Sequence, residues 1–96
     1  MTFEQFMASL QDTSAPAEAS KPLQALWEAK QGAWEKAHGI VQDLSSSEAA
    51  WVHAFLHRQE GDEANAGYWY SRAGRKAFQG SLEDEWASIS RQLLSA

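Results

Sequence analysis

The stretch HAFLHRQEGDEANAGYWYSRA (residues 53–73) predicts a helical hairpin. Gly61 suits the left-handed position that follows a helix, and Asp62 suits the N-cap of the next helix. Apolar side chains at helical spacing then mark the buried side of that second helix. They are Ala66, Trp69, Tyr70 and Ala73. The pattern indicates two antiparallel helices joined by a tight turn.

The same pattern occurs 29 residues earlier in the chain. A shift of that length aligns Gly32 with Gly61 and Ala37 with Ala66, and it aligns further apolar positions along both helices. A repeat at a fixed period is the sequence signature of stacked supersecondary units. Two tandem helical hairpins are therefore predicted.

Ala54, Ala66, Tyr70 and Ala73 lie at positions where the tetratricopeptide repeat has small, small, aromatic and small residues. Residues 22–78 thus resemble that repeat. The resemblance implies tetratricopeptide-like pairing of helices but not a true repeat, because His53 and His57 stand at positions that are apolar in the family. Phe78 also replaces the proline that ends the family's unit.

A longer run, AWVHAFLHRQEGDEANAGYWYSRAGR (50–75), is preceded by LWEAKQGAWEKAH (26–38). Together these segments resemble a group of small uncharacterised bacterial proteins. The resemblance implies no activity, substrate or binding residue.

The rest of the chain completes an all-α prediction. Thr2 and Gln5 have capping-box spacing at the start of a short amphipathic helix (1–10), and a flexible linker rich in Ala, Ser and Pro follows (11–22). A single helical domain is predicted for residues 23–96. It has a cap at Ser45 before the second hairpin and a C-terminal helix that starts after Ser81. The sequence leaves open whether the tethered N-terminal helix packs on its own domain or on a neighbouring molecule.

Composition narrows the classes of function. The 96 residues carry a net charge of −5, which argues against a nucleic-acid-binding protein. There is no cysteine, so disulfides and thiolate metal sites are excluded. No apolar run approaches the ~20 residues of a membrane span, and the acidic N-terminal segment is unlike a secretory signal. We therefore expect a cytoplasmic protein with no nucleic-acid or membrane partner.

Two histidines one turn apart form the candidate metal site. His53, His57 and Glu60 share one helical face, and two imidazoles in this spacing can chelate Zn²⁺ or Ni²⁺. The alternative is a solvated polar face, because the repeat aligns these positions with polar residues of the first hairpin. The sequence favours the polar face, so no cofactor is predicted, and His38, on another helix, is expected to add little.

A second candidate surface follows the helix after Asp62. Tyr68, Arg72 and Arg75 lie along one side, where an arginine stacked on tyrosine can bind a carboxylate or phosphate. The alternative is that both arginines compensate the C-terminal end of their helix and pair with Glu63 or Glu83. The sequence favours this second interpretation.

The leading functional hypothesis is a protein-interaction module without catalytic activity. A protein or peptide, or a second copy of the chain, would occupy a polar groove. The predicted groove and ligand residues are Gln24, Glu28, Gln31, His53, His57, Arg58, Tyr68, Arg72 and Arg75. The alternative hypothesis is a metal-binding protein or small metal-dependent enzyme that uses His53, His57 and Glu60.

Overall fold

The computed structural model describes residues 1–95, and within that range the chain is all-helical, with six helices and no strand. None of these helices is both long and apolar enough to cross a lipid bilayer. The helices are α1 (Phe3–Ser9), α2 (Lys21–Lys30), α3 (Trp34–Val41), α4 (Ser47–Gln59), α5 (Glu63–Ala73) and α6 (Leu82–Ser95).

Two helical hairpins, α2–α3 and α4–α5, form the body of the fold, as the repeat predicts. Gly32 and Gly61 end the first helix of each hairpin with φ of 84° and 89°. In both turns the residue after the glycine donates its backbone N–H to the carbonyl five residues earlier, at 3.0 Å and 2.8 Å. This bond satisfies a carbonyl that the helix end leaves without a partner. The two turns are thus equivalent in conformation and in hydrogen bonding.

Helix α4 lies at the centre of the molecule and contacts α2, α3, α5 and α6. Every residue from 49 to 57 is buried. A helix that is covered on all sides needs few charged side chains, and the segment AAWVHAFLH contains no acidic or lysine residue. The two histidines in this segment are therefore interior residues and not members of a solvated face.

Helix α1 packs on its own chain, which answers the question that the sequence left open. Phe6 is fully buried and its ring stacks on Trp86 of α6, with the ring centroids 5.7 Å apart. The indole Nε1–H of Trp27 donates to the carbonyl and the hydroxyl of Ser9, both at 3.2 Å. One apolar and one polar contact thus fix the short helix against α2 and α6.

Helix α6 is fixed to the second hairpin by a buried carboxylate. Glu85 is fully buried and accepts a hydrogen bond from Arg58 Nη1 of α4 at 2.9 Å. It also accepts the hydroxyl of Tyr70 of α5, while Arg58 donates to the carbonyl of Gly80. Burial and the Glu85 carboxylate both raise the pKa of Tyr70, so its hydroxyl stays a donor. The buried charge is satisfied from two helices, which fixes the position of α6.

Candidate metal centre

Three imidazoles meet between α3 and α4. His38 lies on α3, and His53 and His57 lie one turn apart on α4. The Nε2 atoms of His38 and His53 are 2.9 Å apart, and each of the three histidines places a ring nitrogen within 4.8 Å of the others. His53 and His57 are only 4% and 7% exposed, whereas His38 is half-buried. The cluster is therefore closed on the α4 side and has a partly open edge at His38.

The packing of α3 on α4 explains why these rings meet. Trp34, Ala37, His38 and Val41 are spaced as i, i+3, i+4 and i+7, so they lie on one side of α3. Ala37 and Val41 are buried in the core, and His38 is directed towards α4 together with them. His53 stands at the matching level of α4. Ordinary helix packing thus brings the three side chains together.

Two tryptophans border the imidazoles. The ring of Trp34 stacks on His38 with centroids 4.9 Å apart, and its Nε1–H donates to the Leu56 carbonyl at 2.7 Å. Trp69 of α5 stacks on His53 with centroids 3.8 Å apart. Large flat neighbours restrict the rotation of both imidazoles, and the Trp34 hydrogen bond in turn fixes that indole. The cluster is held by packing on both sides.

Glu60 contacts the third imidazole from the end of α4. Its Oε2 atom lies 2.7 Å from Nδ1 of His57. A carboxylate accepts at this distance, so Nδ1 carries a proton, and in the neutral form of the imidazole Nε2 of His57 then has a free lone pair. Glu60 therefore orients His57 in the tautomer that can bind a metal through Nε2.

The environment of the cluster lowers the pKa of two imidazoles, those of His38 and His53. Burial, followed by the neighbouring imidazoles of His38 and His57, lowers the pKa of His53 to about 4. Burial also lowers the pKa of His38, with a further lowering from His57 that Glu60 opposes. A metal binds the neutral form of histidine, so the environment prepares both side chains as ligands near neutral pH.

One atom of the cluster lacks a partner. Nδ1 of His53 is buried and makes no hydrogen bond to any described residue. A buried polar group without a partner costs about 1–3 kcal/mol, a cost that an apolar side chain of similar size would avoid. Packing alone therefore does not account for a histidine at this position, and such groups call for a functional explanation.

The predicted groove residues of the first hairpin make polar contacts within their own chain. The amide of Gln24 donates to the Ala19 carbonyl at 2.8 Å, and that of Gln31 donates to the Leu10 carbonyl at 2.9 Å. Glu28 is buried and lies 3.2 Å from the ammonium group of Lys36. These polar groups are engaged within the chain, as is the guanidinium of Arg58.

The predicted stripe on α5 is exposed. Arg72 donates to the Tyr68 hydroxyl at 2.9 Å, and its guanidinium also lies over the Trp69 ring at 5.4 Å. Arg75 lies over the Trp51 ring at 3.6 Å and donates to Gln92 at 3.3 Å. Both arginines thus use aromatic and neutral polar groups where the sequence suggested Glu63 or Glu83.

Sequence reasoning missed the third imidazole. His38 was expected to add little because it lies on a separate helix, yet it lies within hydrogen-bonding distance of His53. The available signal was its spacing, since His38 continues the apolar side of α3. Glu60 belonged to the predicted metal set, and the structure places its carboxylate against Nδ1 of His57.

Comparison of the chain with protein-family models, with curated proteins and with solved structures finds no match. The histidine cluster is therefore the feature of this chain that indicates a function.

Proposed function

We propose that this protein binds a divalent transition-metal ion, with Zn²⁺ as the first candidate, through His38, His53 and His57. The observation that carries the proposal is the convergence of three ring nitrogens from two helices within 4.8 Å of one another. The sequence alternative of a metal-binding protein is thereby kept, with His38 replacing Glu60 as the third ligand.

The geometry supports a small metal ion. Two nitrogens that each lie 2.0–2.1 Å from a tetrahedral Zn²⁺ are about 3.3 Å apart. The separation of 2.9 Å between the Nε2 atoms of His38 and His53 lies just below this value, and the 4.8 Å limit of the cluster lies above it. The ring nitrogens already lie at separations close to those that zinc requires.

The type of donor supports a transition metal over Ca²⁺ or Mg²⁺. Imidazole suits Zn²⁺, Cu²⁺, Ni²⁺ and Fe²⁺, whereas the hard ions prefer carboxylate, carbonyl and water oxygens. Glu60 adds a feature that is common at such sites, a carboxylate on the second nitrogen of a ligating histidine. The set of groups is that of an imidazole-based metal centre.

The test is metal binding by protein that is purified without a tag and treated with a chelator. Isothermal titration with Zn²⁺ should show one site, and at a hundredfold excess over the dissociation constant the melting temperature should rise by about 10 °C or more. His38→Gln should abolish both effects. Glu63→Gln, which removes an exposed acid of α5, is the control and should bind as the wild type does.

The proposal fails if Zn²⁺, Ni²⁺, Cu²⁺ and Co²⁺ give no binding heat and no rise in melting temperature. It also fails if wild type and His38→Gln bind zinc equally, because the metal would then be held elsewhere.

Protein interaction is the second candidate function, and one observation favours it. Tyr68 is 53% exposed, and the guanidinium of Arg72 lies over its ring at 5.8 Å. An exposed aromatic next to an arginine matches the composition of interface hot spots. Self-association through this surface can be measured by sedimentation velocity over a wide range of concentrations. A dimer that Tyr68→Ser dissociates supports this function, whereas a monomer throughout rules out self-association.

A further inference from the structure

We infer that the metal held by His38, His53 and His57 keeps a fourth coordination position open to exchangeable water or a small anion, on the side of His38. This inference deepens the proposed function and rests on it.

The number of protein ligands in the cluster indicates an open coordination position. Within residues 1–95, the group of donors that includes His38 and His53 consists of the three histidines, and Glu60 and Asp62 belong to a separate group with His57. Zn²⁺ in proteins prefers four ligands, and a zinc site with three protein ligands completes its shell with water or substrate. The cluster therefore has the composition of an open site and not of a closed structural one.

The nearest acidic groups are already engaged. The Glu60 carboxylate binds Nδ1 of His57, so it acts on the metal through the imidazole ring and is a positioning residue. Asp62 caps α5, where its two carboxylate oxygens accept from the backbone N–H and the side-chain amide of Asn65 at 3.2 and 3.3 Å. Glu60 is thus engaged through Oε2 and Asp62 through both of its carboxylate oxygens, and neither acid belongs to the three-histidine group.

The burial of the three ligands gives the position of the opening. His53 and His57 are buried, while His38 is half-buried and its neighbour Trp34 is also partly exposed. Solvent therefore reaches the cluster from the α3 side. On the opposite side Trp69 covers His53 by ring stacking. A water molecule on the metal would exchange along the edge formed by His38 and Trp34.

The charge of the site favours an anion as the incoming ligand. Three neutral imidazoles leave the double positive charge of the ion uncompensated within its ligand shell, and Glu60 lies one ring further away. In the exchange the metal–water bond breaks, a bond to the anion forms and water leaves, so no protein bond changes. The class of ligand is a small monodentate anion such as azide, thiocyanate or a carboxylate.

The experiment uses Co²⁺ as a spectroscopic substitute and azide as the probe. Chelator-treated wild-type protein is loaded with Co²⁺, and its visible d–d spectrum is recorded during a titration with azide. We expect a four-coordinate spectrum and a saturable change as azide replaces water. Glu60→Gln should keep the same bands and the same response to azide while Co²⁺ binds about 10–100-fold more weakly, as is typical when the partner of a ligating histidine is lost. Glu63→Gln should match the wild type.

The outcomes separate the two proposals. If Co²⁺ binds but saturating azide leaves the spectrum unchanged, the coordination shell is closed and the inference is wrong, while the proposed metal site stands. A change in the Co²⁺ bands in Glu60→Gln before azide is added would identify Glu60 as the fourth ligand. The coordination shell would then be closed, so the inference would be wrong while the proposed metal site would stand. If calorimetry shows no binding of Co²⁺ to the wild type, the proposed function fails and the inference falls with it.

Discussion

Helices α2 and α4 open the two hairpins and carry polar side chains at equivalent positions, but they use them differently. In the first hairpin the three positions are occupied by Gln24 and Glu28 of α2 and by its C-cap residue, Gln31. The glutamines donate to backbone carbonyls of the segment that connects α1 to α2, and the carboxylate pairs with a lysine of α3. These contacts are local ties that hold the N-terminal part of the chain.

In the second hairpin the equivalent positions are occupied by His53 and His57 of α4 and by its C-cap residue, Glu60. The first two side chains are buried against α3 and α5, and they meet a third imidazole instead of a backbone carbonyl. The difference comes from the neighbours, because α4 is covered by helices on several sides whereas the glutamines at and after α2 meet the segment that connects α1 to α2. Equivalent positions thus make structural hydrogen bonds and an ion pair in the first hairpin and form a candidate metal site in the second.

We expect the largest loss of stability from removing the buried carboxylate of Glu85. Its two partners, Arg58 and Tyr70, both belong to the second hairpin, and this contact holds α6 in place. Glu85→Ala leaves Arg58 and Tyr70 without their shared partner, and breaking a buried pair in this way costs about 3–5 kcal/mol. Urea denaturation measures the free energy of unfolding. Glu83→Ala, an exposed acid on the same helix, is the control and should change it by less than about 0.5 kcal/mol. Equal effects of the two substitutions would show that α6 is held by its apolar contacts alone.

The next largest effect is a pH dependence of the stability. It comes from His53 of α4 and has no counterpart at the equivalent Gln24 of α2. The pKa of His53 is lowered to about 4, below the ordinary value of 6.5, so the unfolded chain binds this proton more readily than the folded one. Stability should therefore fall as the pH drops from about 6.5 to about 4, by roughly 3 kcal/mol from this group, and the loss should level off below that range. The groups that face His53 are His38, His57 and, through His57, Glu60.

The measurement is the free energy of unfolding against pH in the presence of a chelator, for wild type and His53→Gln. The substitution places at position 53 the residue found at the equivalent position 24. The difference between the two curves isolates the histidine, since all carboxylates are shared. Parallel curves between pH 6.5 and 4 would contradict the lowered pKa.

Local chemistry made much of the fold predictable. The Thr2 capping box and the caps at Asp62 and Ser81 all form as the sequence indicates, because each depends on residues three positions apart. The predicted cap at Ser45 was wrong by one residue, since Ser46 accepts the Ala49 amide. Three consecutive serines offer the same hydroxyl, so only the helix register decides among them.

Contacts between helices were harder to predict. His53 and His57 are recognisable from spacing alone, but their contact with His38 depends on how α3 packs against α4. In the sequence, Glu85 is one of three acids in the first turn of α6, with Glu83 and Asp84. Only the fold shows that Glu85 is the buried one. Spacing identifies a helical face, whereas the neighbour on that face decides whether its polar groups meet solvent or each other.

The smallest expected change in stability concerns the glycine turn that both hairpins contain. Gly32→Ala and Gly61→Ala should each destabilise the protein by about 1–2 kcal/mol, because a Cβ is unfavourable at positive φ. A Cβ would meet no atom within 4 Å at either site, so the cost comes from the backbone alone and should be the same in both turns. Gly67→Ala, in the middle of α5 with equally open space, is the control and should stabilise by about 0.5–1 kcal/mol. If the cost at Gly61 clearly exceeded that at Gly32, the second turn would carry strain that its dihedral angles and hydrogen bonds do not show, and the hairpins would no longer be equivalent.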